Sequence, residues 1–322
     1  MYIIGLDEAG YGPTLGPLCH GLSIFHLKRE RKRLPDLWVL LAPVVSKFPA
    51  APDAVCIDDS KKIYASPDDL SVLFQTVRHF TGSAAHECCA EKLLRQLMLE
   101  EAHQDILEDH WGAHCHEGTT FELPPMIALQ NVMEERGIRV LGLNTNACSA
   151  RSFNRWLDER QGTRNKAELS WHCASILLKR ALNIVLEHAA DATETIYIQV
   201  DRQGGRKFYS GPLSELLEGA MIEPLEESPG RSAYRGEYRG CEIRVEFLVD
   251  GESRALPIAL AAISAKFTRE VLMRRFNAYF TREIPALKPT AGYPLDAGRF
   301  LDDIAPYLQA QKIKASDLVR SR

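Results

Sequence analysis

Short apolar runs alternate along the chain with longer segments in which apolar residues recur every three or four positions. The short runs predict strands at residues 2–6, 18–25, 139–143, 195–200 and 241–249. The longer segments predict helices at residues 68–80, 87–108, 150–157, 167–188, 257–280, 297–308 and 315–320. Strands mixed with helices predict an α/β fold of three layers, in which a mixed sheet of about five strands has helices on both faces.

The length of 322 residues fits one large domain or two ordinary ones. We expect a single domain over residues 1–322, because no repeat or low-complexity tract divides the chain. Residues 81–137 are rich in His and Glu and are interrupted by Gly and Pro, which indicates an inserted helical region. Residues 257–322 form a helical C-terminal part.

Composition and charge narrow the class of protein. Hydrophobic residues make up 45% of the chain and charged residues 25%, which predicts a large core and excludes wholesale disorder. The net charge of −4 does not exclude nucleic-acid binding, since an acidic cation-binding centre offsets basic surface elsewhere. Two basic runs, at residues 28–33 and 269–275, are interpreted as solvated helix faces.

Eight cysteines are scattered without a repeating spacing, and no basic leader or long apolar run is present. We therefore expect reduced thiols, a cytoplasmic location and no membrane attachment.

Acidic residues stand at or just past the end of three predicted strands. They are Asp7 with Glu8, Asp201, and Asp250 with Glu252. Strand ends of this kind converge on one edge of an α/β sheet, where like charges a few ångströms apart repel each other. Divalent cations relieve that repulsion, and oxygen ligands suit Mg²⁺ or Mn²⁺. Two such ions can activate a water and clamp the oxygens of a phosphodiester displacement.

Other groups of residues give weaker evidence for a functional site. Cys and His are dense in the inserted region, but no paired Cys-x-x-Cys spacing supports a zinc site. The glycines at residues 10–16 lack the register of a nucleotide-binding loop, and no serine stands in a nucleophile elbow. The Cys and His residues concerned are His86, Cys88, Cys89, His103, His110, His114, Cys115 and His116.

Four segments resemble, in order, the motifs of the ribonuclease HII family. Residues 5–17 have the sequence Gly-Leu-Asp-Glu-Ala-Gly-Tyr-Gly-Pro-Thr-Leu-Gly-Pro, similar to the family pattern Asp-Glu-Ala-Gly-Arg-Gly-Pro with a second Gly-Pro. Residues 59–63 resemble its Asp-Ser-Lys-Lys-Leu, and residues 261–269 resemble its Ala-Ala-Ser-Ile-x-Ala-Lys-Val-Thr-Arg helix. Residues 292–294 resemble its Gly-Tyr-Pro/Gly segment. The resemblance implies a ribonuclease H-like fold.

The same resemblance implies the metal ligands. Asp7 and Glu8 match the first two acids of the pattern, and Asp201 matches the third. The fourth family acid lies fourteen residues before the motif lysine, a position that Glu252 occupies here in place of aspartate. Asp250 is the alternative fourth ligand.

Substrate-binding residues follow from the resemblance too. In the family, the backbone of a Gly-Arg-Gly triplet contacts the ribose 2′-OH, and here the triplet is Gly10-Tyr11-Gly12. Tyr293 matches a tyrosine that packs on a sugar near the RNA–DNA junction, within the C-terminal part expected to bind substrate. The expected phosphate neighbours are Lys61, Lys62 and Lys266.

The implied activity is metal-dependent hydrolysis of the RNA strand of RNA–DNA hybrids, or cutting on the 5′ side of ribonucleotides embedded in DNA. The expected partner is nucleic acid, with no obligate protein partner. The chain departs from the pattern at Tyr11 and Glu252, in a long stretch before Asp201, and in room for an extra hairpin around residues 224–239. Two alternatives stay open: a non-catalytic hybrid- or duplex-binding protein, and a nuclease of this fold that acts on structured DNA.

Overall fold

A computed structural model describes residues 1–28, 33–48, 51, 53–64, 66, 69–81, 87–114, 120–122, 127–160, 165–189, 194–202 and 206–321. The strands are β1 (Tyr2–Ala9), β2 (Leu18–Leu27), β3 (Val45–Ser46), β4 (Val55–Cys56), β5 (Glu87–Cys89), β6 (Thr120–Glu122), β7 (Ile138–Cys148), β8 (Ile196–Asp201), β9 (Glu223–Glu227), β10 (Arg231–Tyr238) and β11 (Cys241–Leu248). The helices are α1 (Leu37–Leu41), α2 (Ser60–Ile63), α3 (Ser71–Phe80), α4 (Ala90–Leu97), α5 (Glu100–Leu107), α6 (Ile127–Arg136), α7 (Ala150–Glu159), α8 (Lys166–His188), α9 (Ser210–Leu216), α10 (Gly251–Arg254), α11 (Leu256–Glu283) and α12 (Pro294–Gln311), with a 3-10 turn at Ala315–Asp317.

One large mixed sheet organises the chain, in the strand order β7-β2-β1-β8-β11-β10-β9. Strands β1, β8 and β11 run parallel at its centre, and their carboxyl ends therefore lie at the same edge. The remaining neighbours pair antiparallel. The predicted α/β class with a mixed sheet is confirmed.

The prediction of about five strands is wrong, because the described sheet has seven. The hairpin expected around residues 224–239 supplies the two additional strands, β9 and β10. Strand β10 returns into β11 through Arg239 and Gly240, which both have positive φ. That conformation is typical of the two-residue turns whose twist matches paired strands.

Helices cover both faces of the sheet. On one face, residues of α8 and α9 pack with Tyr2, Ile4 and Leu6 of β1. On the other, α3, α4 and α11 pack with Ile3 and Phe25. Residues of β1 alternate between these two clusters because successive side chains of a strand point to opposite faces of the sheet.

Helix α11 lies unusually close to the sheet because two glycines face it. A Cβ on Gly5 would stand 2.1 Å from the backbone of Pro257, and one on Gly21 would stand 2.0 Å from the carbonyl oxygen of Ala261. Any side chain at either position would push the helix away. The second of these glycines pairs with Asp7 across the β1–β2 ladder, so the close packing lies beside the acidic residues.

Region 81–137 is not wholly helical where it is described. The single helix predicted at residues 87–108 is wrong: β5 comes first, and α4 and α5 are separated at Met98, whose backbone is extended. Met98 pairs with Thr145 of β7, and the amide of Leu99 donates to the Thr145 carbonyl at 2.9 Å. This pairing with the sheet overrides the local helical pattern.

Three further expectations differ from the structure. Strand β1 continues through Ala9, because Glu8 and Ala9 still pair with β2. The helix predicted at 315–320 is a 3-10 turn, after which Val319 pairs with Leu15. The basic run at 269–275 is not a solvated face, since Arg269 and Arg275 are buried and pair with Glu270 and Glu91.

Residues 29–32 of the other basic run and residue 68 of a predicted helix lie outside the described residues. None of the helices in the described part of the chain has both the length and the apolar character that crossing a bilayer requires.

Candidate active site

Four acidic residues lie at the edge of the sheet where the parallel strands end, near enough to affect one another's pKa values. Asp7 and Glu8 lie on β1, Asp201 is the last residue of β8, and Glu252 lies in the first turn of α10, just after β11. These four residues are called the acidic centre below. The strand topology brings them together although they are distant in sequence.

The pKa values show how strongly these groups act on one another. Burial raises the pKa of Asp7 well above its ordinary value, and the charge on Asp201 raises it further. Burial, followed by the same Asp201 charge, raises the pKa of Glu8 to about 8. Burial raises the pKa of Asp201 to about 6, against the Gly251 amide that donates to it. Crowded carboxylates of this kind are stabilised by protons or by bound cations.

Backbone amides hold three of the four carboxylates. The amide of Glu8 donates to Asp7 Oδ1 at 2.6 Å, and that of Gly251 donates to Asp201 Oδ1 at 2.7 Å. The amide of Ser60 donates to Glu252 Oε2 at 2.7 Å. Glu8 Oε2 is different, because it is buried without a hydrogen-bond partner among the described residues.

The carboxylate oxygens of the acidic centre suit a hard divalent cation. All four groups are carboxylates, the ligand type that Mg²⁺ and Mn²⁺ prefer, and the orphaned Glu8 oxygen lacks the partner that a cation would provide. In the described part of the chain, no three acidic, His or Cys side chains stand close enough to form a ready ligand group.

The two candidates for the fourth acid, Glu252 and Asp250, differ in burial and in their effect on the pKa values of the other acids. The charge of Glu252 raises the pKa of both Asp7 and Glu8. Asp250 is exposed, has a positive φ of 53°, and acts only on Asp201 among these acids. Glu252 is therefore the less exposed of the two and the one whose charge acts on Asp7 and Glu8.

The glycine-rich segment lies between α11 and the segment 290–293. Gly10 has a φ of 87°, and a Cβ there would stand 2.7 Å from Arg269, so the backbone requires glycine. The amide of Thr14 donates to the carbonyl of Gly292 at 2.8 Å. Gly12 is exposed, and no described atom lies within 4 Å of the point where a Cβ would stand, which leaves its backbone open to a ligand.

The predicted lysines differ in how available they are. Lys61 is exposed and near enough to lower the pKa values of Glu8 and Asp201. Lys62 forms an ion pair with Asp58 at 3.4 Å. Lys266 is held between the Glu270 carboxylate, at 3.0 Å, and the ring of Tyr64.

Tyr293 is 52% exposed at the start of α12. It lines a cavity of about 900 Å³ together with Lys266 and Arg269. A sugar or base could reach its ring from solvent.

Several residues of the site were not predicted. Ser60 supplies the amide that holds Glu252, although its motif was assigned only through the lysines. Arg269 was quoted in a motif without a role, yet it ties α11 to the carbonyl of Ala291 at 2.9 Å. Lys166, whose ammonium lies 4.3 Å from the centre of the Tyr11 ring, has no sequence signal at all.

The zinc hypothesis gains no support among the described Cys and His residues, which form no metal-binding group. His86, Cys115 and His116 lie outside the described residues.

Comparison with known proteins finds structural likenesses at low identity. No model of a known protein family matches the chain, and no curated protein matches it. Among solved structures, RNase HII of Archaeoglobus fulgidus, in a complex with PCNA, is 13% identical, with 99% of this chain and 92% of that chain covered and a TM-score of 0.42. Ribonuclease H2 from Pyrococcus horikoshii OT3 is 14% identical, with 99% and 92% covered and a TM-score of 0.43. Bst-RNase HIII in complex with Mn²⁺ is 15% identical, with 99% and 66% covered and a TM-score of 0.39. At this level of similarity, the activity of the chain has to be inferred from its own residues.

Proposed function

We propose that the chain is a metal-dependent endonuclease that hydrolyses the RNA strand of RNA–DNA hybrids or cuts on the 5′ side of ribonucleotides embedded in DNA. The acidic centre carries the proposal. A cluster of four carboxylates with raised pKa values, of which Asp7 is buried and the other three are half-buried, is unfavourable without cations, and it stands beside an open glycine backbone and an exposed lysine. A protein that only bound nucleic acid would gain nothing from acids placed near phosphates.

Asp7, Glu8, Asp201 and Glu252 would hold the cations. A pair of bound Mg²⁺ or Mn²⁺ ions would supply positive charge at the scissile phosphate and would lower the pKa of the attacking water. The residues of the chain have a complementary task, which is to give up their protons and keep the ligand oxygens in place. Ser60 and Gly251 support this task through the amide hydrogen bonds to Glu252 and Asp201.

In this proposal, the glycine-rich segment recognises the ribonucleotide. The 2′-OH separates RNA from DNA, and backbone groups near Gly10, Tyr11 and Gly12 can hydrogen-bond to it because no described side chain covers Gly12. Lys61 and Lys62 would contact phosphates on the α2 side. Tyr293 and Lys266 would contact the duplex along the cavity by α12.

The substrate class is tested with matched RNA–DNA, DNA–DNA and branched DNA duplexes, each with Mg²⁺, Mn²⁺ or EDTA. We expect cutting of the RNA strand only, and only with metal, leaving a 3′-OH and a 5′-phosphate. Cutting of branched DNA in preference would establish the structured-DNA alternative. Tight hybrid binding without cutting under any condition would establish the non-catalytic alternative.

A further inference from the structure

Two cationic side chains act on Tyr11, the residue that stands between the two glycines of the triplet, and a third lies in the apolar cluster against which Tyr11 packs. The ammonium of Lys166 lies over its ring. Burial raises the pKa of the Tyr11 hydroxyl, the charge of Glu8 raises it further, and the charge of Arg206 lowers it. Charges of both signs therefore act on Tyr11, from Glu8 of the acidic centre and from the basic Lys166 and Arg206.

Arg320 is the third cation, and it is almost fully buried. Only 4% of the residue is exposed, and its guanidinium lies over Phe153, in the apolar cluster against which Tyr11 packs. One nitrogen donates to the carbonyl of Pro13, whereas Nε and Nη1 are buried without a partner among the described residues. Burial and the neighbouring Arg269 lower the pKa of Arg320 to about 10.

Lys166 stands in a similarly unfavourable place. It is the first residue of the long helix α8, where the helix dipole is positive, and both burial and Arg320 lower its pKa. Within the described chain, neither Lys166, Arg206 nor Arg320 forms an ion pair with a carboxylate. Partly buried cations without counter-ions are costly unless an anion arrives with a ligand.

We propose that Lys166 and Arg206, with the buried charge of Arg320 behind them, form a phosphate subsite beside Tyr11, which binds a backbone phosphate next to the one that is cut. This inference rests on the proposed function and adds a second basic wall to the active site. Lys61 stands near the acids on the α2 side, whereas the phosphate subsite lies on the side of the α8 N-terminus. A strand crossing the acidic centre would thus have cations on both sides of the repelling carboxylates.

The subsite also gives a physical account of the tyrosine at this position. The ribonuclease HII pattern has arginine between the two glycines, and this chain has Tyr11 with the Lys166 ammonium on its ring. A cation resting on an aromatic face is stabilised there without being neutralised. Lys166 would therefore supply from α8 a positive charge that the triplet itself lacks.

The test compares Lys166→Ala, the charge-restoring double variant Tyr11→Arg with Lys166→Ala, and the control Lys179→Ala. Lys179 is an exposed lysine further along the same helix. We expect Lys166→Ala to raise KM for a hybrid about ten-fold with kcat nearly unchanged, and to reduce the salt dependence of hybrid binding by about one phosphate contact. The double variant should recover most of the lost KM, and the control should match the native chain.

Binding is measured separately from cleavage, so that two failures can be told apart. Native cleavage of hybrids with an unchanged KM and salt dependence in Lys166→Ala would overturn the subsite and leave the nuclease intact. Absence of native cleavage, with a salt dependence that still falls in Lys166→Ala, would overturn the nuclease and leave the phosphate contact. A loss in Lys166→Ala that Tyr11→Arg does not recover would overturn the account of Tyr11.

Discussion

Backbone amides orient three of the four carboxylates of the acidic centre. Asp7, Asp201 and Glu252 each accept one amide hydrogen bond, while Glu8 has an oxygen without any partner in the described part of the chain. This arrangement orients the side chains without satisfying them. The unpartnered Glu8 oxygen and the raised pKa values have the same consequence, which is that the centre favours protons at low pH and cations at high pH.

The identity of the fourth ligand gives the sharpest prediction at the scale of single residues. Glu252→Gln should reduce metal-dependent cleavage by more than about 100-fold, the upper end of what loss of a group supporting a metal ligand costs. Asp250→Asn is the matched control, because asparagine tolerates the left-handed backbone there and removes only an exposed charge. Rates of both variants at saturating Mn²⁺ decide the matter. A larger loss in Asp250→Asn would assign the ligand to that residue.

Sequence reasoning could predict that these acids lie at one edge of the sheet, but not the contacts that support them. Asp7 and Glu8 follow an apolar run in a glycine-rich context, which is a local signal. Lys166 and Arg320 are ordinary basic residues in sequence, and only the return of the last residues onto the glycine-rich segment brings Arg320 near Tyr11. Contacts of this kind depend on tertiary packing and leave no periodic pattern.

At the scale of elements, the contact between α11 and strands β1 and β2 places the site. The helix begins just after Glu252 and carries Lys266 and Arg269 past the glycine-rich segment. Gly5 and Gly21 permit this approach. The active-site geometry therefore depends on two positions that have no chemistry of their own.

Gly21→Ala should reduce the free energy of unfolding by about 3 kcal/mol, because the added methyl meets backbone that cannot move aside cheaply. Urea denaturation measures the effect. Gly298→Ala, on the exposed side of α12 with no described atom near the new methyl, should instead stabilise the chain by about 0.5–1 kcal/mol. Equal stability of Gly21→Ala and the native chain would show that the helix is not packed as described.

Elements with long regular patterns were predictable, and those defined by tertiary pairing were not. Strands β1, β2, β8 and β11 and helices α8 and α11 follow from apolar periodicity. The break at Met98 was missed because its extended backbone is stabilised by Thr145 of the sheet edge, which is distant in sequence. The hairpin was expected only because the chain has more residues there than the family pattern needs. The glycine after Arg239 was a turn signal that was not used.

For the whole molecule, the acidic centre couples stability to pH and to metal. The folded-state pKa of Glu8 is about 8, above its ordinary 4.5, and that of Asp201 is about 6, above its ordinary 3.8. Folding therefore favours the protonated forms. Their contribution to stability is complete below the ordinary values and is lost as pH rises through the folded-state values.

The Tm of the protein in EDTA should consequently lose these contributions from about pH 4 to about pH 8, and Mg²⁺ or Mn²⁺ should restore it most at the upper end. Asp7→Asn removes one of the repelling charges, so its Tm in EDTA should fall less and exceed the native value at high pH by about 2–4 °C. Thermal unfolding scans across this range provide the measurement. A native Tm in EDTA that rises with pH, or no metal effect at the upper end of the range, would contradict the coupling.

The central claim is tested most directly by cleavage of a DNA duplex that carries one ribonucleotide, with the native chain and Asp7→Asn side by side in Mn²⁺ or Mg²⁺. The account predicts that the native chain cuts on the 5′ side of the ribonucleotide and that Asp7→Asn, although folded, does not. An intact duplex and an intact longer hybrid in the presence of bound native protein would contradict it, as would undiminished cutting by Asp7→Asn.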